Sequence, residues 1–593
     1  MKSTLLSRRD LDFLLYEWLR VDELTKRERF AEHSRDTFDG VLDLSEELAE
    51  KYFAPHNKKS DANEPTFDGQ HVTVVEEVKD AILAFAQADL VGASMDESLG
   101  GAQLPVCVAQ AGFAYVSAAN VSTAAYLMLT IANANLISKF GDAKQVEAFV
   151  KPMLAGRFTG TMALSETQAG SSLADILTRA EPQADGTYRL FGSKMWISGA
   201  EHEMTDNIVN LVLAKIPGGP AGTKGISLFI VPKYLDGSTK ERNDVTLAGL
   251  NHKMGQRGIT NTVLNFGEGV YTPGGEPGAV GYLVGEPHRG LMYMFHMMNE
   301  ARLAVGMGAV SLGYTGYLKS VQYARERPQG RLVKDPSTPQ VPIVEHADVK
   351  RMLLAQKAYV EGGLALGLYC TKLVDLQRTA ESAEEGRQVT DLLDILVPVA
   401  KSWPSQWCLE ANSLAIQVHG GYGYTREYDV EQHYRDNRLN PIHEGTHGIQ
   451  SLDLLGRKVT QRGGASLAEL GKAVTATVEQ ATAAGGEAAE LAASLTASWQ
   501  RVVEVTAAMY ADDDAEATLA NSAIYLEAFG HVVMAWIWLE QFVVAGGQPG
   551  AFYDGKRQAA RYFFRYELPR TAPQLDLLES MDRTTLEMRD GWF

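Results

Sequence analysis

The segment PIHEGTHGIQ, residues 441–450, contains two histidines and a glutamate at a spacing that could serve either of two chemistries. His443, Glu444 and His447 form the pattern H-E-x-x-H, in which a metalloprotease binds zinc through the histidines and uses the glutamate as general base. The same ten residues could instead present Glu444 alone, as a base with no metal nearby. The residues around the pattern favour the second interpretation.

A zinc protease needs its two histidines one turn apart inside a regular helix, with a third ligand downstream. Here Pro441 precedes the first histidine by two residues, and Gly445 lies between the two histidines; both residue types disfavour a helix. Gln450 occupies the place where the longer metzincin signature has a glycine. Glu469, a conceivable third ligand, lies beyond a pair of glycines in another predicted domain. We therefore expect no metal site, and a zinc hydrolase is only the minor alternative.

Two further segments contain residue types that suit a flat ring or a closely approaching ligand. TMALSETQAGSSLADI, residues 161–176, is rich in small hydroxyl residues, and Gly170 would let the backbone approach a ligand closely. In KMWISG, residues 194–199, Trp196 could pack on a flat ring while Ser198 donates a hydrogen bond. The alternatives are a turn-rich strand connection for the first segment and a buried core tryptophan for the second.

Three arginines, Arg325, Arg327 and Arg331, lie close together at the end of a predicted helix. The planar guanidinium group suits a pyrophosphate because it donates two parallel hydrogen bonds. A solvated, charged helix end is an equally good interpretation of the same residues.

A glycine-rich segment, QVHGGYGYTREY, residues 417–428, offers backbone N–H groups without side-chain obstruction at Gly420, Gly421 and Gly423. Nucleotide-binding loops use glycines in this way. The segment does not complete G-x-G-x-x-G, because Arg426 occupies the last place, so it carries no Rossmann fingerprint.

The composition limits the class of protein. The 593 residues are 45% hydrophobic and 22% charged, which predicts several domains with ample core. A net charge of −19 argues against a general nucleic-acid or anionic-membrane surface, although a local basic pocket for one phosphorylated ligand is compatible with it. The three cysteines, Cys107, Cys370 and Cys408, are far apart and indicate no disulfide framework, which fits a reducing compartment.

The N-terminal segment and the most apolar later segment predict neither a signal peptide nor a membrane span. The first twenty residues mix charges into their apolar positions, unlike a signal peptide. The apolar stretch 531–546 is interrupted by Glu540 and Gln541, so we expect a buried helix rather than a spanning one. We therefore predict a cytoplasmic protein.

The hydrophobic period changes along the chain and predicts a mainly α fold with a central β domain. Apolar residues recur at helical spacing from residue 7 to about 155, again over about 290–460, and in an alanine-rich region over about 467–590. Between the first two lie short β-branched and aromatic runs at 186–199, 207–216, 225–235 and 260–273, which predict antiparallel strands. The proline-bearing stretch 327–342 is a candidate functional loop, and the glycine pair within 460–467 indicates a linker.

These patterns predict four domains. They are an N-terminal helical domain over 1–158, a small antiparallel β-barrel-like domain over 159–280, a helical bundle over 281–462, and an additional C-terminal helical domain over 467–593.

Eight segments, taken in order, resemble the landmark segments of the flavin-dependent acyl-CoA dehydrogenases over roughly residues 30–460. They are MALSETQAGSSLADI, KMWISG, KMGQRG (253–258), NEARLAVGMGAVSLGY (299–314), YARERPQGR (323–331), QVHGGYGYTREY, YRDNR (434–438) and HEGTHGIQ (443–450). The extra C-terminal domain and the segment HADVKRML (346–353) resemble the subgroup that contains 3-methylmercaptopropionyl-CoA dehydrogenase and related medium- and long-chain enzymes.

The resemblance implies bound FAD and α,β-dehydrogenation of an acyl-CoA thioester to the trans-2-enoyl-CoA, as in fatty acid β-oxidation. It also implies an electron-transferring flavoprotein as electron acceptor and a homodimer or homotetramer. An acyl-CoA oxidase that uses oxygen is the alternative enzyme, and a flavin- or CoA-binding scaffold without turnover is the non-catalytic alternative. The acyl chain length stays open, because it depends on how the helices pack.

The resemblance also assigns roles to individual residues. Glu444 matches the catalytic base; a carboxylate suits α-proton removal if desolvation raises its pKa. Glu300 lies one residue before the place where a few relatives have their base, which turns it about 100° away on a helix. The implied flavin-ring and FAD-backbone residues are Met162, Leu164, Ser165, Gly170, Trp196, Ser198, Arg327, Gln329 and Thr446, with Gln417, Gly420 and Gly421 reaching the cofactor from the neighbouring subunit. The implied CoA-side residues are Ser171, Met298, Asn299 and Arg302.

Overall fold

The structure, a computed structural model, describes residues 3–235, 241–332, 337–511 and 514–593. The chain divides into two compact units. The larger unit contains Met1–Ser34, Val106–Ala114 and Arg302–Phe593; the smaller unit contains Arg35–Pro105 and Tyr115–Ala301. Within the candidate functional loop 327–342, residues 333–336 lie outside the described part of the chain.

The helices confirm the mainly α fold class. Within the described residues they are, in chain order, α1 Arg8–Asp12, α2 Arg35–Leu48, α3 Asn57–Ala62, α4 Glu76–Gln87, α5 Val106–Ala119, α6 Val121–Phe140, α7 Ala143–Gln145, α8 Lys151–Leu154, α9 Gly290–Glu326, α10 Ala347–Arg378, α11 Ala383–His419, α12 Val430–Asn437, α13 His447–Asp453, α14 Gln461–Ala484, α15 Gly486–Met509, α16 Ala515–Ala520, α17 Ser522–Val544, α18 Ala551–Tyr562, α19 Thr571–Glu579 and α20 Thr584–Glu587.

Every strand in the described part of the chain lies in the smaller unit. A short hairpin consists of β1 Thr66–Phe67 and β2 Val72–Thr73. The central sheet contains β3 Phe158–Ala163, β4 Arg179–Pro182, β5 Tyr188–Ser198, β6 Asn207–Lys215, β7 Ile226–Pro232, β8 Val245–Leu250, β9 Asn261–Phe266 and β10 Ala279–Leu283.

The central sheet closes on itself, which confirms the barrel-like β domain. Its strand order is β10-β7-β6-β4-β5-β9-β8, and β10 also pairs with β5, so the strands from β10 to β5 form a ring. The four predicted strand regions correspond to β5, β6, β7 and β9. The prediction missed β3, β4, β8 and β10. Both β3 and β4 pair with β6 in parallel, so the sheet is mixed rather than antiparallel. All six residues of β3 are buried, so it lacks the alternation that marks a half-exposed strand.

In the larger unit the predicted buried helix is confirmed. Residues 531–544 of the apolar stretch 531–546 lie in α17, whose Trp536 and Trp538 are fully buried. By length and composition, both α6 and α17 could cross a membrane, but 67% and 83% of their most apolar windows are buried inside the protein. Such burial is typical of core helices.

The predicted linker at 460–467 coincides with a break in regular helical geometry. Arg462, Gly463 and Gly464 have φ angles of 52°, 67° and 84°, in the left-handed region that favours glycine. The helical backbone of α14 therefore becomes regular only after the glycine pair.

Candidate active site

Glu444 lies in a tight turn, residues 440–446, between α12 and α13; we call this segment the base turn. Glu444 and Gly445 have φ angles of 53° and 88°, so the chain here is not helical. A Cβ at Gly445 would lie 2.4 Å from Gln450 Nε2, and the positive φ of Gly445 independently favours glycine. His447 is the first residue of α13, whereas His443 precedes both left-handed residues. The two histidines therefore do not share the helical turn that a zinc protease requires.

Lys401 on α11 fixes the base turn. Its ammonium group is fully buried and donates to the carbonyl oxygens of Asn440 at 2.8 Å and Gly445 at 2.7 Å. Burial lowers the pKa of Lys401 to about 8, against the opposing charge of Glu444. These two charge-assisted bonds hold the backbone on both sides of the glutamate.

The environment of Glu444 suits a base of intermediate strength. Its side chain is partly buried, and burial raises the pKa of its carboxyl above the ordinary value. The charges of Lys401 and Arg302 oppose part of that rise. Arg302, a predicted CoA-side residue, is 3% exposed, and its guanidinium donates to Asp453 Oδ2 at 3.1 Å. The positive charge of Arg302 thus limits the rise in the Glu444 pKa.

The backbone of the base turn also offers a hydrogen-bond donor. Among the residues that the structure describes, none accepts a hydrogen bond from the Glu444 N–H. Thr446, by contrast, is engaged: its Oγ1 accepts from the Ile449 N–H at 3.1 Å and so caps α13.

A cavity of about 500 Å³ in the larger unit brings together four of the predicted FAD residues. Its lining consists of Tyr323, Arg327, Gln329, Ile343, Val418, His419, Gly420, Gly421, Tyr422 and Thr425. Gly420 has φ 61° and ψ −139°, which only glycine adopts readily. Neither Gly420 nor Gly421 has an atom within 4 Å of where a Cβ would lie, so both backbones are open to the cavity.

Of the three clustered arginines, the structure places only Arg327 among the lining residues. Arg327 is exposed, and its guanidinium donates from Nη1 to the Pro328 carbonyl at 3.1 Å. The guanidinium of Arg331 instead donates to the Thr338 carbonyl. Gln417 is exposed one turn before the glycines; its carbonyl accepts from the Gly420 N–H, and it does not line the cavity.

In the smaller unit Trp196 is exposed rather than buried in the core. Its relative exposure is 59%, its φ is 67°, and the pairing of β5 with β9 is irregular between Lys194 and Ile197. A bulge thus turns a large aromatic side chain out of the sheet. Beside it, Ser198 Oγ accepts from Asn261 Nδ2 at 3.1 Å.

A buried ion pair joins the two predicted flavin-ring segments. Lys194 Nζ donates to Glu166 Oε1 at 3.0 Å and to the Leu164 carbonyl at 2.9 Å. The Met195 N–H donates to the Ser165 carbonyl at 3.0 Å. Burial by itself would raise the pKa of Glu166, but the Lys194 charge and hydrogen bonds from Thr178 and Leu177 outweigh it and hold the pKa at about 2.

The other predicted residues of the smaller unit differ in exposure. Met162 is buried in β3, whereas Gly170 and Ser171 are exposed, and Gly170 has open space around its Cα. Met298 and Asn299 lie partly buried on α9. Glu300, the second-ranked base, accepts a hydrogen bond from Asn135 Nδ2 at 3.1 Å.

Models of known protein families match consecutive regions of the chain. Acyl-CoA dehydrogenase models match the N-terminal domain over residues 39–157, the middle domain over 161–268 and the C-terminal domain over 288–459. An acetyl-CoA dehydrogenase C-terminal-like model matches 470–589. The chain is also 35% identical over 535 residues to 3-methylmercaptopropionyl-CoA dehydrogenase of Ruegeria pomeroyi, covering 88% of this chain and 87% of the relative.

The chain belongs to the acyl-CoA dehydrogenase family. This acyl-CoA dehydrogenase is also 32% identical to the broad-specificity linear acyl-CoA dehydrogenase FadE5 of Mycobacterium tuberculosis, over 99% of both chains. Its fold matches the crystal structure of a Bacillus anthracis acyl-CoA dehydrogenase complexed with FAD, with a TM-score of 0.72, 21% identity, and coverage of 98% of this chain and 92% of that one. The enzyme is thus an FAD-dependent oxidoreductase of the subgroup that the extra C-terminal domain predicted.

The residues of this acyl-CoA dehydrogenase fit FAD. The exposed Trp196 on its bulge offers a face to a flat ring, which a buried tryptophan would not. The cavity of the larger unit combines a guanidinium with two open glycine backbones, a donor set that suits a pyrophosphate.

Sequence reasoning missed the two lysines that fix the site segments, Lys401 and Lys194. Each is a fully buried cation, and each binds a backbone carbonyl of a predicted site segment. The available signal was weak: a single lysine within an otherwise apolar helix in LVPVAKSW (396–403), and one within the strand KMWIS.

Proposed function

We propose that this acyl-CoA dehydrogenase oxidises a linear acyl-CoA thioester to the trans-2-enoyl-CoA, with Glu444 as the base that removes the α-proton. The observation that carries the proposal is the raised pKa of a partly buried carboxyl on a left-handed turn fixed by Lys401. The desolvated carboxylate is a stronger base than an exposed one and is therefore better able to accept a carbon-bound proton. FAD, when bound, supplies the acceptor for the hydride that leaves the β-carbon.

The Glu444 N–H is the proposed donor to the thioester carbonyl. As the α-proton leaves, negative charge develops on this oxygen, and a preorganised backbone donor stabilises it. The donor and the base belong to the same residue, so Lys401, which fixes the turn, orients both. Arg302 and Lys401 add positive charge that keeps the carboxyl ionised before the reaction.

The cavity of the larger unit is the proposed site of the FAD pyrophosphate. Arg327 supplies the charge, Gln329 lies beside it, and Gly420 and Gly421 let the phosphates approach the backbone. Because all four line one cavity of one chain, Arg327 and Gln329 act on the same pyrophosphate as Gly420 and Gly421, which the resemblance assigns to the FAD of the neighbouring subunit.

Replacing Arg327 with alanine should weaken FAD binding by about 10- to 150-fold, because a charge-assisted, bidentate contact is lost. The measurement is the FAD dissociation constant of the reconstituted apoprotein. Arg325→Ala is the matched control, since Arg325 is exposed at the same helix end and does not line the cavity. Equal FAD affinity in the two variants would remove Arg327 from the site.

The proposed active form is a homodimer or homotetramer, in keeping with the shared cofactor site that the resemblance implies. Size-exclusion chromatography with light scattering on the FAD-loaded enzyme should give at least twice the chain mass. A monomer with full activity would refute a shared site.

The proposed electron acceptor is an electron-transferring flavoprotein, and an oxidase is the competing function. A series of linear acyl-CoA substrates and 3-methylmercaptopropionyl-CoA, assayed with an artificial acceptor and separately with oxygen alone, tests the proposal. A dehydrogenase forms enoyl-CoA with the artificial acceptor and little with oxygen. Equal turnover with oxygen, accompanied by hydrogen peroxide, would identify an oxidase.

A further inference from the structure

Three buried asparagines connect α9 to the base turn through one continuous chain of hydrogen bonds. Asn412 on α11 donates from Nδ2 to the Leu312 carbonyl at 3.0 Å. Its Oδ1 accepts from Asn437 Nδ2 at 2.7 Å, and Asn437 Oδ1 accepts from Asn440 Nδ2 at 2.8 Å. Asn440 Oδ1 lies 3.0 Å from Nε2 of His443, the residue before the base. We call these four side chains the asparagine–histidine chain.

The backbone carbonyls of α9 determine which atom donates and which accepts in every hydrogen bond of the asparagine–histidine chain. Backbone carbonyls can only accept, so the amide nitrogen of Asn412 must face Leu312, and that of Asn437 must face Ala309, whose carbonyl lies 3.1 Å away. Each amide oxygen is then left for the next donor. At the near end Asn440 presents its oxygen, so His443 must carry a proton on Nε2.

The same surroundings keep His443 uncharged. Burial, with a smaller contribution from the Lys401 cation, lowers the pKa of His443 to about 3. With Nε2 protonated by necessity, the neutral ring carries its lone pair on Nδ1. The tautomer of a histidine is set by the hydrogen bond that one nitrogen makes, and here the three asparagines set it.

We propose that His443 is a positioning residue for Glu444, held as the neutral Nε2–H tautomer by Asn412, Asn437 and Asn440. The inference rests on the proposed function of Glu444. His443 anchors the base turn through its side chain, while Lys401 anchors it through the backbone. Because the ring stays neutral, it adds no third cation to the charges of Lys401 and Arg302, and the carboxyl keeps the raised pKa that proton removal needs.

Two substitutions of His443 distinguish the effect of losing the Nε2 donor from the effect of losing the imidazole ring. The amide nitrogen of glutamine reaches the place of imidazole Nε2, whereas that of asparagine reaches the place of Nδ1. His443→Asn leaves the buried Asn440 oxygen without its donor and should slow flavin reduction by acyl-CoA by about 10-fold or more. His443→Gln restores the donor and should recover most of the rate. FAD content and thermal unfolding of both variants establish that they are folded.

A third substitution gives a signature that loss of packing would not give. Asn440→Asp still accepts from His443, but its carboxylate stabilises the imidazolium and should bring the histidine's ionisation into the neutral range. Lys401, Glu444, Arg302 and His447 are the same in wild type and variant. An extra ionisation in the pH profile of flavin reduction can come from the introduced carboxyl or from His443. It reports on His443 if the double variant Asn440→Asp/His443→Gln, which keeps the carboxyl, lacks it.

The outcomes separate this inference from the proposed function. Equal rates in His443→Gln and His443→Asn overturn the positioning role, as does a pH profile of Asn440→Asp without an extra ionisation. If Asn440→Asp does not fold, the glutamine and asparagine variants decide alone. Glu444→Gln is measured alongside. Normal flavin reduction in that variant contradicts the proposed function itself, and any slower flavin reduction in the histidine variants would then be due to an effect on another base.

Discussion

Replacing Glu444 with glutamine is expected to slow flavin reduction by acyl-CoA by at least about 10²- to 10⁴-fold, the usual effect of losing a general base. Glutamine keeps the shape of the side chain and most of its hydrogen bonding but cannot accept the α-proton. Because the base turn is held by Lys401 and not by the carboxylate, the variant should still bind FAD and acyl-CoA. Rapid mixing of the yellow enzyme with substrate under anaerobic conditions measures the rate.

The pH dependence of the same reaction gives an independent signature. A general base acts in its ionised form, so the wild-type rate should rise with pH through the pKa of Glu444, which burial raises above the ordinary carboxyl value. Glu444→Gln should lack this rising limb. Glu300→Gln is the matched control, since Glu300 is held by Asn135, and it should retain both the rate and the limb. A large loss in the control with a normal rate in Glu444→Gln would move the base to α9.

Replacing Lys194 with methionine is expected to destabilise the smaller unit by about 3–5 kcal/mol, because it leaves the buried Glu166 carboxylate without its cation. Lys194 is fully buried, and its Nζ also holds the Leu164 carbonyl. The variant should therefore lose stability and FAD together. Denaturant unfolding of the apoprotein and flavin content after purification measure the two effects.

The control is Arg157→Met, which breaks an exposed ion pair with Asp206 in the same unit. Exposed pairs contribute about 0–1 kcal/mol, so this variant should remain close to wild type. Removing both charges in Lys194→Met/Glu166→Leu should recover part of the loss, because no uncompensated charge stays buried. Equal destabilisation in Lys194→Met and Arg157→Met would contradict a structural role for the buried pair.

The pKa of Glu166 also gives the sign of a pH effect. Its folded-state pKa, about 2, lies below the ordinary value of 4.5. Burial lowers the pKa of its partner Lys194 to about 8. The carboxylate therefore contributes its full stability between 4.5 and about 8, where Lys194 is still charged, and this contribution is lost as pH falls from 4.5 toward 2.

The sequence predicted the mainly α fold with its central β domain better than the contacts that fix the site. The exposed Trp196 shows why: its sequence position suggested a ring contact, but its exposure depends on an irregular pairing of β5 with β9 that no local pattern encodes. β3 was missed because a strand buried on both faces has no alternation. The anchoring contacts join distant residues, such as Lys401 with Gly445, and only the folded chain reveals them.

The base turn shows which features of the site could be predicted from the sequence and which could not. Gly445 and Pro441 correctly argued against a helix at H-E-x-x-H, because local conformational preferences are readable from residue types. The role of His443 could not be predicted from the sequence. Its hydrogen-bond partner, Asn440, is the last of three asparagines whose hydrogen bonds extend to α9, and these contacts exist only in the folded chain.

The most direct test of the central claim is an anaerobic single turnover of the FAD-loaded enzyme with an acyl-CoA deuterated separately at the α- and β-carbons. The account predicts one trans-2-enoyl-CoA per flavin reduced, loss of one α- and one β-hydrogen, and an isotope effect on flavin reduction from each position. In Glu444→Gln no enoyl-CoA should form within the wild-type turnover time. A thioester recovered unchanged, or enoyl-CoA formed at the wild-type rate by Glu444→Gln, would contradict the account.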